Sequence, residues 1–105
     1  MTTMLTRNFH ETVINRIRQD ESFRREVFIG AVNLLLAGDI ETGKASLRDY
    51  IEATMGFNHV AGALGKSTKS IQRMLSAQSN PRLENLLLLL QMLQQREGVE
   101  LKVIG

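Results

Sequence analysis

Three residues near the middle of the chain stand at a spacing that constrains its fold more than any other feature. Gly65 follows Ala61 by four residues, and Ile71 follows Gly65 by six. A small residue lets two short helices cross closely, a glycine permits a left-handed turn between them, and a β-branched residue anchors the second helix. The spacing therefore predicts a helix-turn-helix over residues 57–77. A plain helical hairpin is the alternative, because glycine-turned helix pairs are common.

The other positions of the two helices divide into an apolar set and a polar set. Helical periodicity predicts that the apolar set faces the interior together with Ala61 and Ile71. Its members are Val60, Leu64, Met74 and Leu75. The polar set, at spacings of one, three and four residues along the second helix, is predicted to face outward. Its members are Thr68, Lys69, Gln72 and Arg73.

The outward set has the chemistry with which a helix recognises DNA in the major groove. Arginine binds guanine through two hydrogen bonds, glutamine binds adenine, lysine binds guanine or phosphate, and the threonine methyl contacts thymine. Ser67 is predicted to cap the second helix and to leave its first amides for a phosphate. Lys66, Asn58 and His59 are candidates for phosphate contacts, although a lone exposed histidine is more often simply solvated. The division between base contacts and phosphate contacts stays open.

Charge is distributed unevenly along the chain. Residues 1–52 contain seven basic and eight acidic residues, which predicts solvated helix faces with paired charges. His10 lies in this region without a pattern of partners and is expected at the surface. Residues 53–83 contain no acidic residue, and their basic residues are Lys66, Lys69, Arg73 and Arg82. This acid-free segment coincides with the helix-turn-helix and favours a nucleic acid as its partner.

The remaining periodicity predicts an all-α fold. Apolar residues at helical spacing indicate four more helices, over residues 6–20, 22–37, 40–55 and 81–96. The last helix is preceded by Ser79-Asn80-Pro81, which is typical of a cap followed by proline at the first helical position. We expect a single domain over residues 1–105. It consists of an N-terminal helical pair (1–38), a helix-turn-helix bundle (39–96) and a tail (97–105).

Two C-terminal segments have alternative interpretations. Residues 99–103 alternate apolar and polar side chains, which predicts a short strand that pairs with another chain, the alternative being a frayed terminus. Residues 83–93 place leucines on more than one helix face. One leucine stripe fills the core, and the surplus predicts a dimer interface unless the domain wraps this helix on most sides.

The composition excludes several classes of protein and site. The chain has no cysteine, so it has no disulfide, no thiolate nucleophile and no cysteine-based zinc site. The longest apolar run, residues 86–90, is far shorter than the about 20 residues that span a bilayer, and the N-terminus lacks the apolar stretch of a signal peptide. We therefore expect a cytoplasmic protein without membrane contact. No catalytic motif or cluster of metal ligands appears in the sequence, which predicts no enzymatic activity, no metal and no cofactor.

Several short runs between residues 39 and 103 resemble those of a known family. They are Leu47-Arg48-Asp49-Tyr50-Ile51, Met55-Gly56-Phe57, Val60-Ala61, Leu75-Ser76 and Ser79-Asn80-Pro81. With the helix-turn-helix spacing, they resemble the lambda-repressor/Cro-like superfamily and, within it, addiction-module antidote proteins (antitoxins). The resemblance implies a compact bundle of about five helices that binds a palindromic operator as a dimer. It also implies autorepression and a RelE/ParE-type toxin as partner.

These observations predict a sequence-specific, DNA-binding transcriptional repressor, and the resemblance makes it the autoregulating antitoxin of a toxin–antitoxin module. The expected partners are double-stranded operator DNA, a second copy of the chain and a RelE/ParE-type toxin. One alternative is a protein-interaction module that neutralises a toxin without reading DNA. Another is a phage or host regulator that has no toxin partner.

Overall fold

The computed structural model describes the backbone of residues 2–105 and the side chains of residues 9–105. Within that range the chain forms six α-helices and no strand, which confirms the predicted all-α class. The helices are α1 (Thr2–Gln19), α2 (Glu21–Leu36), α3 (Ile40–Ala53), α4 (Phe57–Leu64), α5 (Thr68–Met74) and α6 (Leu83–Glu97). The expected domain of residues 1–105 includes Met1, which lies outside the described residues. No helix in residues 2–105 combines the length and apolar character needed to cross a membrane.

Short polar side chains fix where the early helices begin. The Asp20 carboxylate accepts a hydrogen bond from the Phe23 amide at 3.0 Å and so caps α2. Asp39 caps α3 in the same way, accepting from the Thr42 amide at 3.4 Å. An N-cap carboxylate satisfies an amide that has no partner inside the helix. The boundaries of α2 and α3 therefore follow closely from local sequence.

The main core lies where α2 and α3 pack against the helices that follow them. Gly43 of α3 faces α2 so closely that an added Cβ would lie 2.7 Å from Leu35 Cδ2 and 3.1 Å from the Ala31 carbonyl oxygen. This glycine therefore permits the close approach of the two helices. Fully buried side chains from five helices fill the core: Phe28, Leu47, Tyr50, Ile51, Val60, Ile71, Leu75, Leu89 and Leu93.

A smaller apolar cluster attaches α1 to the rest of the domain. Ile14 and Ile17 of α1 pack there beside Ala53 at the end of α3. Phe9 continues the helical spacing of these residues, but 71% of it is exposed. The apolar periodicity of α1 thus extends one turn beyond the part of the helix that is buried.

The start of α6 differs from the prediction. α6 begins at Leu83 with Arg82 as its N-cap and no side-chain cap, whereas Pro81 lies outside the helix. The Ser79 hydroxyl instead donates hydrogen bonds to the carbonyl oxygens of Met74 at 2.8 Å and Ser76 at 3.2 Å. Because Ser79 serves the end of α5, the predicted cap with proline at the first helical position was wrong.

The predicted C-terminal strand does not form within the single chain. Residues 99–105 form no regular secondary structure, although the side chains of Val99 and Leu101 pack against the main core. The Leu101 amide donates to Gln94 Oε1 at 3.0 Å, whereas Val103 and Ile104 are about nine-tenths exposed. A strand requires a neighbouring backbone, and within residues 2–105 no strand is present to supply one.

Candidate nucleic-acid interface

α4 and α5 form a pair of short helices joined by a three-residue turn. Gly65 ends α4 in the left-handed conformation, with φ 66° and ψ 32°, and the Lys66 amide then donates to the Ala61 carbonyl oxygen at 2.9 Å. Ser67 begins α5, accepting a hydrogen bond on Oγ from the Ser70 amide at 3.0 Å. The turn glycine and the Ser67 cap are therefore confirmed. Both depend on contacts within a few residues, which is why the local sequence predicts them.

The two helices bury the apolar set that the spacing predicted. Ala61 is 3% exposed and Ile71 is fully buried, so the small residue and the β-branched residue both lie in the core. The other predicted inward residues are also buried, except that Leu64 is only half-buried. Because α5 has only seven residues, this buried stripe leaves Lys69, Gln72 and Arg73 exposed on its other side.

One hydrogen bond joins the start of α4 to the start of α5. The Thr68 hydroxyl donates to Asn58 Oδ1 at 2.7 Å. With its oxygen occupied, Asn58 retains the two donors of its amide nitrogen, which suit a phosphate oxygen. Thr68 retains its methyl group, the part expected to contact thymine. The neighbouring His59 is exposed on α4.

The turn and the far end of α5 meet in a shared concavity. Lys66 and Arg73 line a cavity of about 220 Å3 together with Asn80 and Asn85. The structure thus brings two of the predicted cations to one place. It also adds two amide side chains that the sequence did not single out, because they lie beyond the motif. We refer to the eight predicted residues, Asn58, His59, Lys66, Ser67, Thr68, Lys69, Gln72 and Arg73, as the α4–α5 surface.

The cations of the acid-free segment have no carboxylate partners. Among the residues whose side chains are described, Lys66, Lys69, Arg73 and Arg82 form no ion pair. Unpaired surface cations attract a polyanion without first breaking an internal ion pair. The positive field at this surface is therefore available to a partner.

α3 holds the C-terminal end of α5 with two cations that sequence reasoning missed. Lys44 is 2% exposed, and its Nζ donates to the carbonyl oxygens of Ser76 and Ser79, at 2.7 Å each. Arg48 donates from Nη1 to the Leu75 carbonyl oxygen. These carbonyls follow α5, which ends at Met74, three residues before the predicted end. The available signal was that Lys44 lies three residues before Leu47, on the buried face of α3.

A second network was also missed, and it joins the end of α6 to α2 and α3. Glu97 is 8% exposed, and it accepts hydrogen bonds on Oε1 from the Tyr50 hydroxyl at 2.6 Å and from Arg24 Nε at 2.9 Å. Burial and the hydrogen bond to Glu97 raise the pKa of Tyr50, so the phenol keeps its proton and donates. The hydrogen bond to Glu97 also raises the pKa of Arg24. We refer to these three residues as the Glu97 network.

His10, expected without partners, lies between two carboxylates of α3. Its Nε2 is 3.1 Å from Glu52 Oε2, and its Nδ1 is 3.7 Å from Asp49 Oδ1. Burial raises the pKa of Asp49, whereas the charge of His10 lowers it and that of Glu52 raises it further. The three side chains are half-exposed and attach the first helix to the third. The sequence shows that Asp49 and Glu52 lie three residues apart on one face of α3, but it does not show that they pair with His10 of α1.

Comparison of the chain with protein-family models, with curated proteins and with solved structures yields no significant match. The geometry and charge of the α4–α5 surface are therefore the main support for a functional proposal, together with the resemblance of short sequence runs. That surface combines unpaired cations with exposed amide and hydroxyl groups. The combination suits hydrogen bonding to phosphates and to base edges.

Proposed function

We propose that this protein is a sequence-specific DNA-binding transcriptional repressor whose helices α4 and α5 act as a helix-turn-helix of the lambda-repressor type. One observation carries the proposal. Lys69, Gln72 and Arg73 project from one short helix, exposed and unpaired, while the opposite side of that helix is anchored in the core by Ile71. A reading helix needs this division, because rigid anchoring holds its polar groups in register with the bases.

The proposed contacts follow from the chemistry of each side chain. Gln72 and Arg73 read base edges in the major groove with Thr68, and Lys69 beside them contacts a base edge or a phosphate. Lys66, Ser67, Asn58 and His59 contact phosphates, which fix the position of the protein on the duplex. The hydrogen bond between Thr68 and Asn58 couples the two groups of contacts across the helix pair.

A second copy of the chain completes the proposed repressor. Leu83, Leu87 and Leu88 of α6 are 70%, 53% and 44% exposed, whereas Leu89 and Leu93 of the same helix are buried. Apolar side chains grouped on one side of a helix favour contact with a protein surface. A twofold dimer through this side would present two α5 helices to successive major grooves, about 34 Å apart.

The resemblance to addiction-module antidotes extends the proposal to autorepression and to neutralisation of a RelE/ParE-type toxin. A second candidate function is neutralisation of a toxin without DNA reading. Two observations on the tail favour this second function. The side chains of Val103 and Ile104 are exposed, and the backbone before them pairs with no strand in residues 2–105. An extended apolar tail of this kind can add to the edge of a partner's sheet. A regulator without a toxin partner remains the third candidate.

The decisive experiment measures DNA binding by fluorescence anisotropy at two salt concentrations. The probes are the promoter region of the protein's own operon and a scrambled duplex of equal length and composition. We expect the promoter to bind at least about 10³-fold more tightly than the scrambled duplex, as is typical of specific recognition. Affinity for both duplexes should fall steeply as salt rises.

A double variant separates the candidates. With Gln72→Ala and Arg73→Ala combined, we expect promoter preference to disappear. The same variant is then co-expressed with the product of the adjacent reading frame, and growth is measured. If the double variant loses promoter binding but still neutralises the toxin, the unaltered chain has both the DNA-binding and the neutralising role. Equal affinity of the unaltered protein for both duplexes, with neutralisation intact, would instead favour the second candidate function.

A further inference from the structure

A cavity of about 380 Å3 lies away from the α4–α5 surface, where the ends of four helices meet. Arg18 of α1, Arg24 of α2 and Arg96 of α6 line it, beside Tyr50 and Thr54 at the end of α3. Its volume falls within the about 300–1,000 Å3 of small-ligand pockets. None of the eight residues of the α4–α5 surface lines it.

The two acidic residues of the cavity are already occupied. The Glu21 carboxylate receives Arg25 Nη2 at 2.8 Å, and Glu97 is bound by Tyr50 and Arg24. The carboxylates therefore have little capacity left for a cationic ligand. The charge available to an incoming molecule is positive.

The donors of the cavity, in contrast, are largely free. Arg96 forms no hydrogen bond or ion pair within the part of the chain that is described, and Arg18 uses only Nε, for the Ala53 carbonyl oxygen at 3.3 Å. Arg24 also bonds to Glu97 through Nε, which leaves its two terminal nitrogens. Three guanidinium groups thus present unused N–H donors to one cavity.

Glu97 fixes one side of this arrangement. Its side chain is 3% exposed and accepts hydrogen bonds from the Tyr50 hydroxyl and from Nε of Arg24, whose side chain is 27% exposed. A guanidinium that is already oriented loses less conformational entropy when it binds a ligand than a freely rotating one. The Glu97 network therefore orients Arg24 before an anion binds in the cavity.

We propose that this cavity, which we call the arginine cavity, binds a small phosphate-bearing molecule. The guanidinium groups come from three different helices, which suits the several oxygens of a tetrahedral phosphate dianion better than the two oxygens of a planar carboxylate. A bound phosphate would join α1, α2 and α6, and so stabilise the attachment of the N-terminal helices to the domain. The site goes beyond the proposed function, and its test involves no DNA.

The test is isothermal titration calorimetry of the full chain in a phosphate-free, chloride-containing buffer. Three probes are titrated separately: inorganic phosphate, glycerol phosphate and acetate. We expect saturable one-site binding of a phosphate probe and no comparable binding of acetate. Tighter binding of glycerol phosphate would identify a phosphomonoester as the ligand, and tighter binding of inorganic phosphate would identify free phosphate.

Variants locate the binding site. We expect Arg96→Gln and Arg18→Gln each to weaken phosphate binding by at least about tenfold, the effect of losing one charge-assisted contact. Lys102→Gln removes the same charge from the exposed tail, outside the cavity, and should leave the affinity unchanged. Both arginines are exposed, so circular dichroism should show folded variants. Absence of saturable phosphate binding, equal binding of acetate, or equal losses in all three variants would overturn the proposal.

Discussion

The helices α1 and α2 and the helix pair α4–α5 both carry basic residues, but they use them differently. Arg16, Arg24 and Arg25 of the first two helices each face a carboxylate, at Asp20, Glu97 and Glu21 respectively. On the α4–α5 surface, no described cation has such a partner. The Arg24–Glu97 pair joins α2 to α6 and Arg25–Glu21 is an exposed pair within α2, whereas a cation without a carboxylate partner leaves its full charge for a ligand.

The two regions also differ in how their positions are stabilised. α5 has seven residues, too few to be stable alone, so its position depends on anchoring by its buried stripe and by α3. The cations that provide this anchoring, Lys44 and Arg48, come from outside the pair. Changes at Lys44 should therefore affect folding, whereas changes on the α4–α5 surface should affect binding.

The largest effect is expected for Lys44→Met. Methionine preserves the apolar stem but removes the donor to two carbonyl oxygens, at Ser76 and Ser79. The Ser76 carbonyl oxygen keeps the hydrogen bond from the Ser79 amide at 3.2 Å, whereas the Ser79 carbonyl oxygen loses its donor. A hydrogen bond from a charged group contributes about 1.5–3 kcal/mol and two are lost, so we expect the free energy of unfolding to fall by about 2–4 kcal/mol. Urea denaturation followed by circular dichroism measures the change. Lys69→Met, an identical substitution at an exposed site, should change the stability by less than about 0.5 kcal/mol. Equal effects of the two variants would contradict the anchoring role of Lys44.

Arg73→Ala should have the next largest effect, on DNA binding rather than on folding. Loss of a base contact is expected to cost about 1–3 kcal/mol in discrimination at one base step, with stability changed by less than about 0.5 kcal/mol. Competition binding with single-base variants of the promoter measures it. Arg16→Ala is the matched control, because Arg16 is equally exposed but pairs with Asp20. If Arg16→Ala weakened discrimination as strongly as Arg73→Ala, the functional difference between the two regions would be lost.

Lys69→Ala should change the salt dependence of binding more than its sequence preference. If Lys69 contacts a phosphate, its removal lowers the slope of log affinity against log salt by about 1, similarly for the promoter and for the scrambled duplex. Titrations at a series of salt concentrations provide both slopes. A loss confined to the promoter at a single base position would instead assign Lys69 to base reading.

The smallest effect is expected for Asp49→Asn at the contact between α1 and α3. The raised pKa of Asp49 means that its ionised form is less favourable in the folded chain than in the unfolded chain. The ionised Asp49 carboxylate therefore lowers the free energy of unfolding when the pH is above its pKa in the folded chain. This cost disappears as the pH falls below the ordinary pKa of an aspartate. We expect Asp49→Asn to stabilise the protein by less than about 1 kcal/mol near neutral pH, a small value because the group is half-exposed. The gain should vanish in acid, and thermal melts across pH test it. Destabilisation at neutral pH would show that the contact with His10 outweighs burial.

The sequence by itself determined the features that depend on neighbours in the chain. The turn at Gly65 and the cap at Ser67 involve contacts within about four residues, so residue type and spacing were sufficient to predict them. The same applies to the exposed positions of Lys69, Gln72 and Arg73, which follow from the helical period once Ile71 is buried.

Only the tertiary structure decided the features that join distant parts of the chain. Lys44 meets its two acceptors across 32 and 35 residues, and Arg24 meets Glu97 across 73. A local sequence pattern has no information on such partners. For the same reason it placed the start of α6 too early, and it predicted a strand in the tail although the chain supplies no neighbouring strand in the described residues. The sequence identified a polar surface on α5. The packing of α3 determined how the end of that helix is held, because the carbonyl oxygens of Leu75 and Ser76, just after its last residue, accept hydrogen bonds from Arg48 and Lys44.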